Sequence, residues 1–360
     1  MKANELSQLY CEEILAISGK ILQMDPDPIP RYLVLRELNQ IGVSDSELQG
    51  AKRALFNARW VQELHETQWA DGTWGRFHTQ DTKAKQAIPT TENGIDLALA
   101  YGLNKHDALL AKTVTFIEDH IAGKESWRDR AEKHDDPNLW QVLTPFISAA
   151  NLALIDDDHE MLGYFVNSWV EIVMAAFQSG TYDRQAEIDM FNEGLKLHTK
   201  NPPAFHNKYP LILLSSKISR LDPQLEGRIL DHILSRPDGV YYLYDGLLSQ
   251  MPAVSERKFY YWLATQLILS RIPGWFHFIE PYLIEILSQR NKDGLWSFSE
   301  RVPRRPYSPL PLSESWYRKA NKCIDCSVLI LKLLSHYCQG ARDKDESSNL
   351  PSSYGELRMN

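Results

Sequence analysis

An aromatic-bearing turn that returns at nearly constant spacing constrains this chain more than any other feature. Asp71-Gly72-Thr73-Trp74 closely matches Asp293-Gly294-Leu295-Trp296. Between them lie Glu125-Ser126-Trp127, Gly180-Thr181-Tyr182 and Asp238-Gly239-Val240-Tyr241. The aromatics are separated by 53, 55, 59 and 55 residues, and each interval has room for two helices and two connections.

Apolar residues at helical spacing follow each aromatic, over Ile95–Leu103, Leu139–Ile155, Tyr209–Ile218, Phe259–Ile272 and Ile324–Leu334. Second amphipathic segments follow at His106–Ala122, His159–Phe177, Gln224–Leu234 and Phe276–Leu287, and another pair precedes the ladder at Arg31–Leu38 and Ser46–Leu64. Alternating strands joined by hairpin turns are almost absent. The expectation is an all-α chain of about six antiparallel helix pairs. Stacked pairs leave an apolar face at each end, and closing them into an α/α toroid (barrel) removes both. Residues 1–339 are expected to form this single domain, and the polar 340–360 segment a disordered tail.

The chain is 43% hydrophobic and 24% charged, and no apolar run reaches the roughly 18 residues that span a bilayer. Met1 to Gln23 carries Glu5, Glu12 and Glu13 and lacks the order of a secretory signal, so a cytoplasmic protein is expected. Four cysteines are too few for a disulfide framework. A formal net charge of -8 disfavours a nucleic-acid partner, whose binding rests on many neutralised phosphates.

The stretch from Leu64 through Gln68 and Gly72 to Trp74 resembles the Gln-Trp repeat of triterpene cyclases. In physical terms, Gln can bond the carbonyls of a helix end, Gly permits positive φ, and Trp covers the turn while its N–H finds a partner. The other copies depart from the pattern: Gln289 and Gln178 are out of register, and the turns at 127 and 241 lack Gln. The likeness covers residues 30–338 and is to the terpene-cyclase and protein-prenyltransferase toroids. It implies a central cavity whose mouth gathers the N-terminal ends of the inner helices.

By that resemblance the acid of a class II cyclase is sought at Asp325, which in Ile324-Asp325-Cys326-Ser327 looks like the Asp-Cys-Thr segment of oxidosqualene cyclases. The bacterial Asp-x-Asp-Asp form is absent, and the plainer reading of Asp325 is a helix cap. Glu92 and Asp135, at expected inner-helix starts, are the other catalytic candidates. Candidate substrate-binding residues at the same mouth are Trp140, His206, Tyr209, Glu256, Tyr260 and Tyr261, whose aromatics could face a carbocation. Arg304, Arg305, Tyr317 and Arg318 belong to a basic group that either holds a diphosphate or forms a solvated lid.

No cofactor is expected. Mg²⁺ would enter only with a diphosphate substrate, and the Asp156-Asp157-Asp158-His159-Glu160 string that could hold it reads better as a solvated connection. Zn²⁺ is disfavoured: Asp325 directly precedes Cys326, whereas prenyltransferases place Asp two residues before Cys, and Cys323 and Cys326 form a lone pair. Three functions stay open. The first is a terpene-cyclase-like enzyme acting on an isoprenoid in an apolar cavity by acid-initiated carbocation cyclisation, with no transmembrane segment and with peripheral membrane contact compatible. The second is a non-catalytic toroid binding a lipid or peptide, and the third a carbohydrate-active lyase or hydrolase using Glu92 and Asp135.

Overall fold

The computed structural model describes residues 3–38, 43–129 and 137–348, and within them the chain is all-helical. In chain order the helices are α1 (Ala3–Gln23), α2 (Pro28–Leu33), α3 (Asp45–Phe56), α4 (Arg59–Thr67), α5 (Thr91–Ala100), α6 (Ala108–Ile121) and α7 (Pro137–Ile155). They continue as α8 (Gly163–Ala176), α9 (Arg184–Leu195), α10 (Lys208–Leu214), α11 (Pro223–Ser235), α12 (Arg257–Leu269), α13 (Phe276–Ser288) and α14 (Lys319–Ser348). Their starts follow local chemistry. Ser44, Thr90, Asp183 and Asp222 each accept a backbone N–H of the first turn of α3, α5, α9 and α11. Among the described residues the only β feature is an isolated bridge between Val240 and Tyr244.

Several details differ from the sequence reading. Helix α1 covers Ala3–Gln23, where no helix is expected. The segment expected as one helix over 46–64 is broken at Asn57-Ala58 into α3 and α4, and α9 was not anticipated because its face is largely polar. The expected tail begins too early. Helix α14 runs through Gly340 to Ser348, since one glycine costs a helix only about 1 kcal/mol and no proline intervenes before Pro351. Residues 349–360 lie outside the described residues.

The helices pack in a circuit. Helix α5 lies against α7, α7 against α10, α10 against α12, and α12 against α14, which in turn meets α2 and the turn Val34–Leu38 after it. That turn leads back to the end of α5, where Arg36 donates to the Gly102 carbonyl. Gly102 has φ +91 and fits under Tyr32 and Leu33, where a Cβ would come within 3.1 Å of both. Among the described residues, α7 alone is long and apolar enough to cross a membrane, but 56% of that window is buried, as in a core helix.

Two ladder turns share one geometry. The Trp74 indole N–H donates to the Leu64 carbonyl (3.0 Å) and that of Trp296 to the Ile286 carbonyl (2.8 Å), each ten residues back at the end of the preceding helix. The Trp74 backbone N–H donates to Thr91 Oγ1 of α5, and that of Trp296 to Ser327 Oγ of α14, both at 3.1 Å. Gln68 donates to the Gly72 and Leu109 carbonyls, binding the turn to α6. Trp127 instead stacks on Phe77 at 4.4 Å, and Tyr182 lies 4.2 Å from His232. Tyr241 departs from the ladder: it is 61% exposed, and its neighbour Val240 takes the buried place.

Candidate functional site

The loop that follows Trp74 carries His78 to the N-terminal ends of α5 and α10. One carboxylate, Asp129, accepts the backbone N–H groups of Phe77, His78 and Thr79 and the Thr79 hydroxyl, which fixes the loop at this place. His78 Nδ1 lies 2.6 Å from Glu92 Oε2 in the first turn of α5. Tyr209, in the first turn of α10, directs its hydroxyl to the same Glu92 oxygen at 3.2 Å and lies 3.1 Å from His78 Nδ1. Asn151 of α7 donates to Glu92 Oε1 at 3.0 Å and to the Ile147 carbonyl. Trp140, Tyr209 and Tyr242 surround the imidazole with ring centroids 5.8–6.1 Å away.

The charges of this cluster follow from its packing. Burial opposes ionisation of Glu92, but the His78 hydrogen bond and nearby Lys208 outweigh it and hold the carboxyl below its ordinary range. Burial likewise disfavours the His78 cation, yet Glu92 raises its proton affinity above the usual value. Tyr209 is pushed well up, by burial first and then by Glu92, so its hydroxyl keeps its proton and donates. Both shifts favour an ion pair with the proton on His78 and Glu92 ionised, so Glu92 orients and charges the imidazole.

One turn further along α5, on the same face as Glu92, Asp96 meets Lys208 at 3.5 Å. Asp96 keeps 48% of its side-chain surface accessible and borders a half-open cavity. Burial raises the Asp96 carboxyl, and Lys208 only partly offsets this. For Lys208 the order reverses: Asp96 and Glu92 overcome the burial penalty and keep it an ammonium.

The cavity measures about 330 Å³. Its walls come from α5, α7, α10, α12, α14 and the segment 306–309, and they are chiefly aliphatic: Leu97, Leu99, Leu154, Leu263, Leu267 and Leu329. Tyr260 and Lys332 also border it. Over its edge, the Tyr307 hydroxyl donates to Gln80 at 3.0 Å, joining two loops from opposite ends of the chain.

The residues expected from sequence divide into those that converge and those that do not. Glu92, Trp140 and Tyr209 meet around His78, and Tyr260 borders the cavity. Tyr261 lies with Arg257 in an outer cleft of about 490 Å³, and the Glu256 carboxylate accepts the Ala253 N–H before α12. His206 is buried beside His232 and Tyr182, away from His78. Arg305 is held by Glu63 at 2.8 Å under the Trp60 ring, and Arg304 lies 3.9 Å from Glu300. Tyr317 is 98% exposed, Arg318 is exposed, and neither borders the cavity. Asp135 lies outside the described residues.

Asp325 does not border the cavity either. Fully buried in α14, it accepts the N–H groups of Leu312 and Ser313 (both 2.9 Å) and the Ser313 hydroxyl (2.6 Å), and so anchors the preceding loop, not the start of its own helix. Burial pushes it up to about 7 against those three donors. The Asp156–Asp158 string is engaged in ion pairs: Asp156 with Lys105 at 2.7 Å, and Asp157 with Lys217 at 3.1 Å and Arg271 at 3.6 Å. Among the described residues no group of three or more His, Cys, Asp or Glu is placed to hold a metal ion.

Sequence reading passed over His78, Asp96, Asn151 and Lys208. Asp96 carried a signal, four residues after Glu92 and so on the same helix face. His78 carried none, because its position depends on Asp129, which belongs to the next ladder turn. Comparison with protein-family models, with curated proteins and with solved structures finds no match for this chain.

Proposed function

We propose that this chain is a terpene-cyclase-like enzyme of toroidal build that takes an isoprenoid into the aliphatic cavity and begins catalysis by proton transfer at its polar end. The observation that carries the reading is the pairing of that cavity with a carboxyl, Asp96, whose proton affinity burial raises. A carboxylic acid is a stronger proton donor than an imidazolium held by a carboxylate, so of these groups Asp96 is the acid when it carries the proton, and Glu92 then balances the Lys208 ammonium. Lys208 keeps it in place, and Glu92 of the His78–Glu92–Tyr209 cluster adds a negative charge near Lys208. The Tyr260 ring at the wall offers a π face to positive charge developing in the chain. Should the ligand be a diphosphate, Mg²⁺ would accompany it as part of the substrate.

The test is incubation of purified protein with geranyl, farnesyl and geranylgeranyl diphosphates and with squalene, followed by analysis of extracted products. A product is expected, and Asp96→Asn should lower its rate by about a hundredfold or more while the folded protein still binds the ligand. Absence of both product and binding overturns the reading. Binding without turnover would leave the non-catalytic lipid-binding alternative in its place.

A further inference from the structure

A second and larger cavity, about 880 Å³, lies at the other ends of four of the helices that wall the first. At the end of α7 the first cavity stops at Leu154 and the second involves Asp157, just past the helix; at the end of α12 the change falls between Ile268 and Ser270; on α14 it falls between Lys332 and His336, and on α10 between Lys208 and Leu214. Two to six residues separate the linings, about 3–9 Å of helix rise. Two hydrogen bonds tie the helices together at this level: Arg271 donates to the Ala153 carbonyl at 2.6 Å, and Ser270 Oγ meets His336 Nδ1 at 2.6 Å.

We infer that this thin partition, with Leu154 and Ile268 as its apolar face, is a floor that limits the length of the ligand. The inference rests on the apolar-ligand reading above and adds the size of the chain it admits. A cavity of roughly 150 Å³ holds a benzene ring, so the 330 Å³ inner cavity covers about ten to fifteen carbons of a chain, and the rest of a longer one would stay outside it. Each methylene that enters it should strengthen binding about fourfold until the floor is reached. Because another cavity lies directly beyond, removing apolar bulk from the floor lengthens the usable space, while adding bulk shortens it.

The experiment measures binding, by calorimetry or thermal shift, of geraniol, farnesol and geranylgeraniol to the full chain and to Leu154→Ala, Ile268→Ala and Ile268→Phe, each first checked by circular dichroism. The native protein is expected to bind farnesol or geraniol best and geranylgeraniol at least tenfold more weakly. Either alanine variant should recover geranylgeraniol binding, and Ile268→Phe should cost farnesol tenfold while sparing geraniol. Affinity that rises through geranylgeraniol in the native protein, or a cut-off that none of the folded variants moves, overturns the floor and leaves the proposed reaction untouched. Binding of none of the three alcohols overturns both. Sharp chain-length dependence without turnover of any diphosphate overturns the reaction alone and supports the floor.

Discussion

The turns at Trp74 and Trp296 are built alike and serve different ends. Each closes on a carbonyl ten residues back and hands its backbone N–H to a hydroxyl on the next helix, Thr91 or Ser327. Counting from those hydroxyls, Asn93 and Leu329 stand two residues on, and Asp96 and Lys332 five residues on, and all four border the inner cavity. The same fastening thus sets the same helix register twice. What differs is the segment between tryptophan and helix: after Trp74 it delivers His78 to Glu92, and after Trp296 it is anchored by Asp325. A shared turn fixes where a helix faces, and the loop beyond it decides what chemistry arrives there.

The comparison can be broken most forcefully at the tryptophans. Trp74→Ala and Trp296→Ala should each cost about 3–5 kcal/mol in chemical denaturation, because each empties a fully buried site. A twofold disparity between them would mean that the two fastenings are not equivalent. Next in size, Asp325→Ala should cost about 2–3 kcal/mol, since it strands buried donors at Leu312 and Ser313, yet should leave catalysis by the folded protein within about twofold. Collapse of turnover in that variant would return Asp325 to the active site.

The two glycines sharpen the contrast. Gly294 has φ +67 with open space about its Cβ position, so Gly294→Ala should cost about 1–2 kcal/mol from backbone strain alone. Gly72 has φ +85, and a Cβ there would lie 2.5 Å from the Lys112 carbonyl carbon and oxygen, so Gly72→Ala should cost more, by thermal denaturation of both variants under one condition. Equal losses would show that α6 yields to the new methyl group.

A further effect is in pH. Burial, with Arg236 adding to it, lowers His206 to about 3 and His232 to about 4, so both are neutral in the folded protein. The unfolded chain binds their protons near pH 6.5, so stability falls from there as pH drops toward 4, by up to about 1.4 kcal/mol per pH unit for each histidine. His78 has the opposite sign: its folded value is raised, so its contribution is complete below pH 6.5 and is lost as pH rises through the folded value. His206→Gln should flatten the acid limb and His78→Gln should leave it unchanged, as read from denaturation midpoints between pH 4 and 7.

The ladder spacing made the helical class legible, because period and turn chemistry are local properties. Glu92, Trp140 and Tyr209, singled out by position alone, come together around His78. Asp325 misled because its helix starts earlier, at Lys319, than the apolar spacing suggests, and a carboxylate has the same residue type and spacing whether it gives up a proton or anchors a loop. Only the three donors from Leu312 and Ser313 separate the two roles. His78 was illegible for the converse reason, since the carboxylate that sets its loop is 51 residues away. Tyr241 bore the right spacing but sits outside, because the bridge from Val240 to Tyr244 turns it outward.

Helix α1 packs along α14, with Tyr10 edge-on to Tyr337 at 5.2 Å and Glu13 bonded to Arg290 at 2.6 Å. The first and last of the described helices are therefore partners. During synthesis α1 waits with its apolar stripe uncovered until α14 leaves the ribosome, so this seam, the most distant in sequence, forms late. A chain arrested before α14 would lack a wall of the inner cavity and the partner of α1 at once, which makes the arrival of α14 the gate to both.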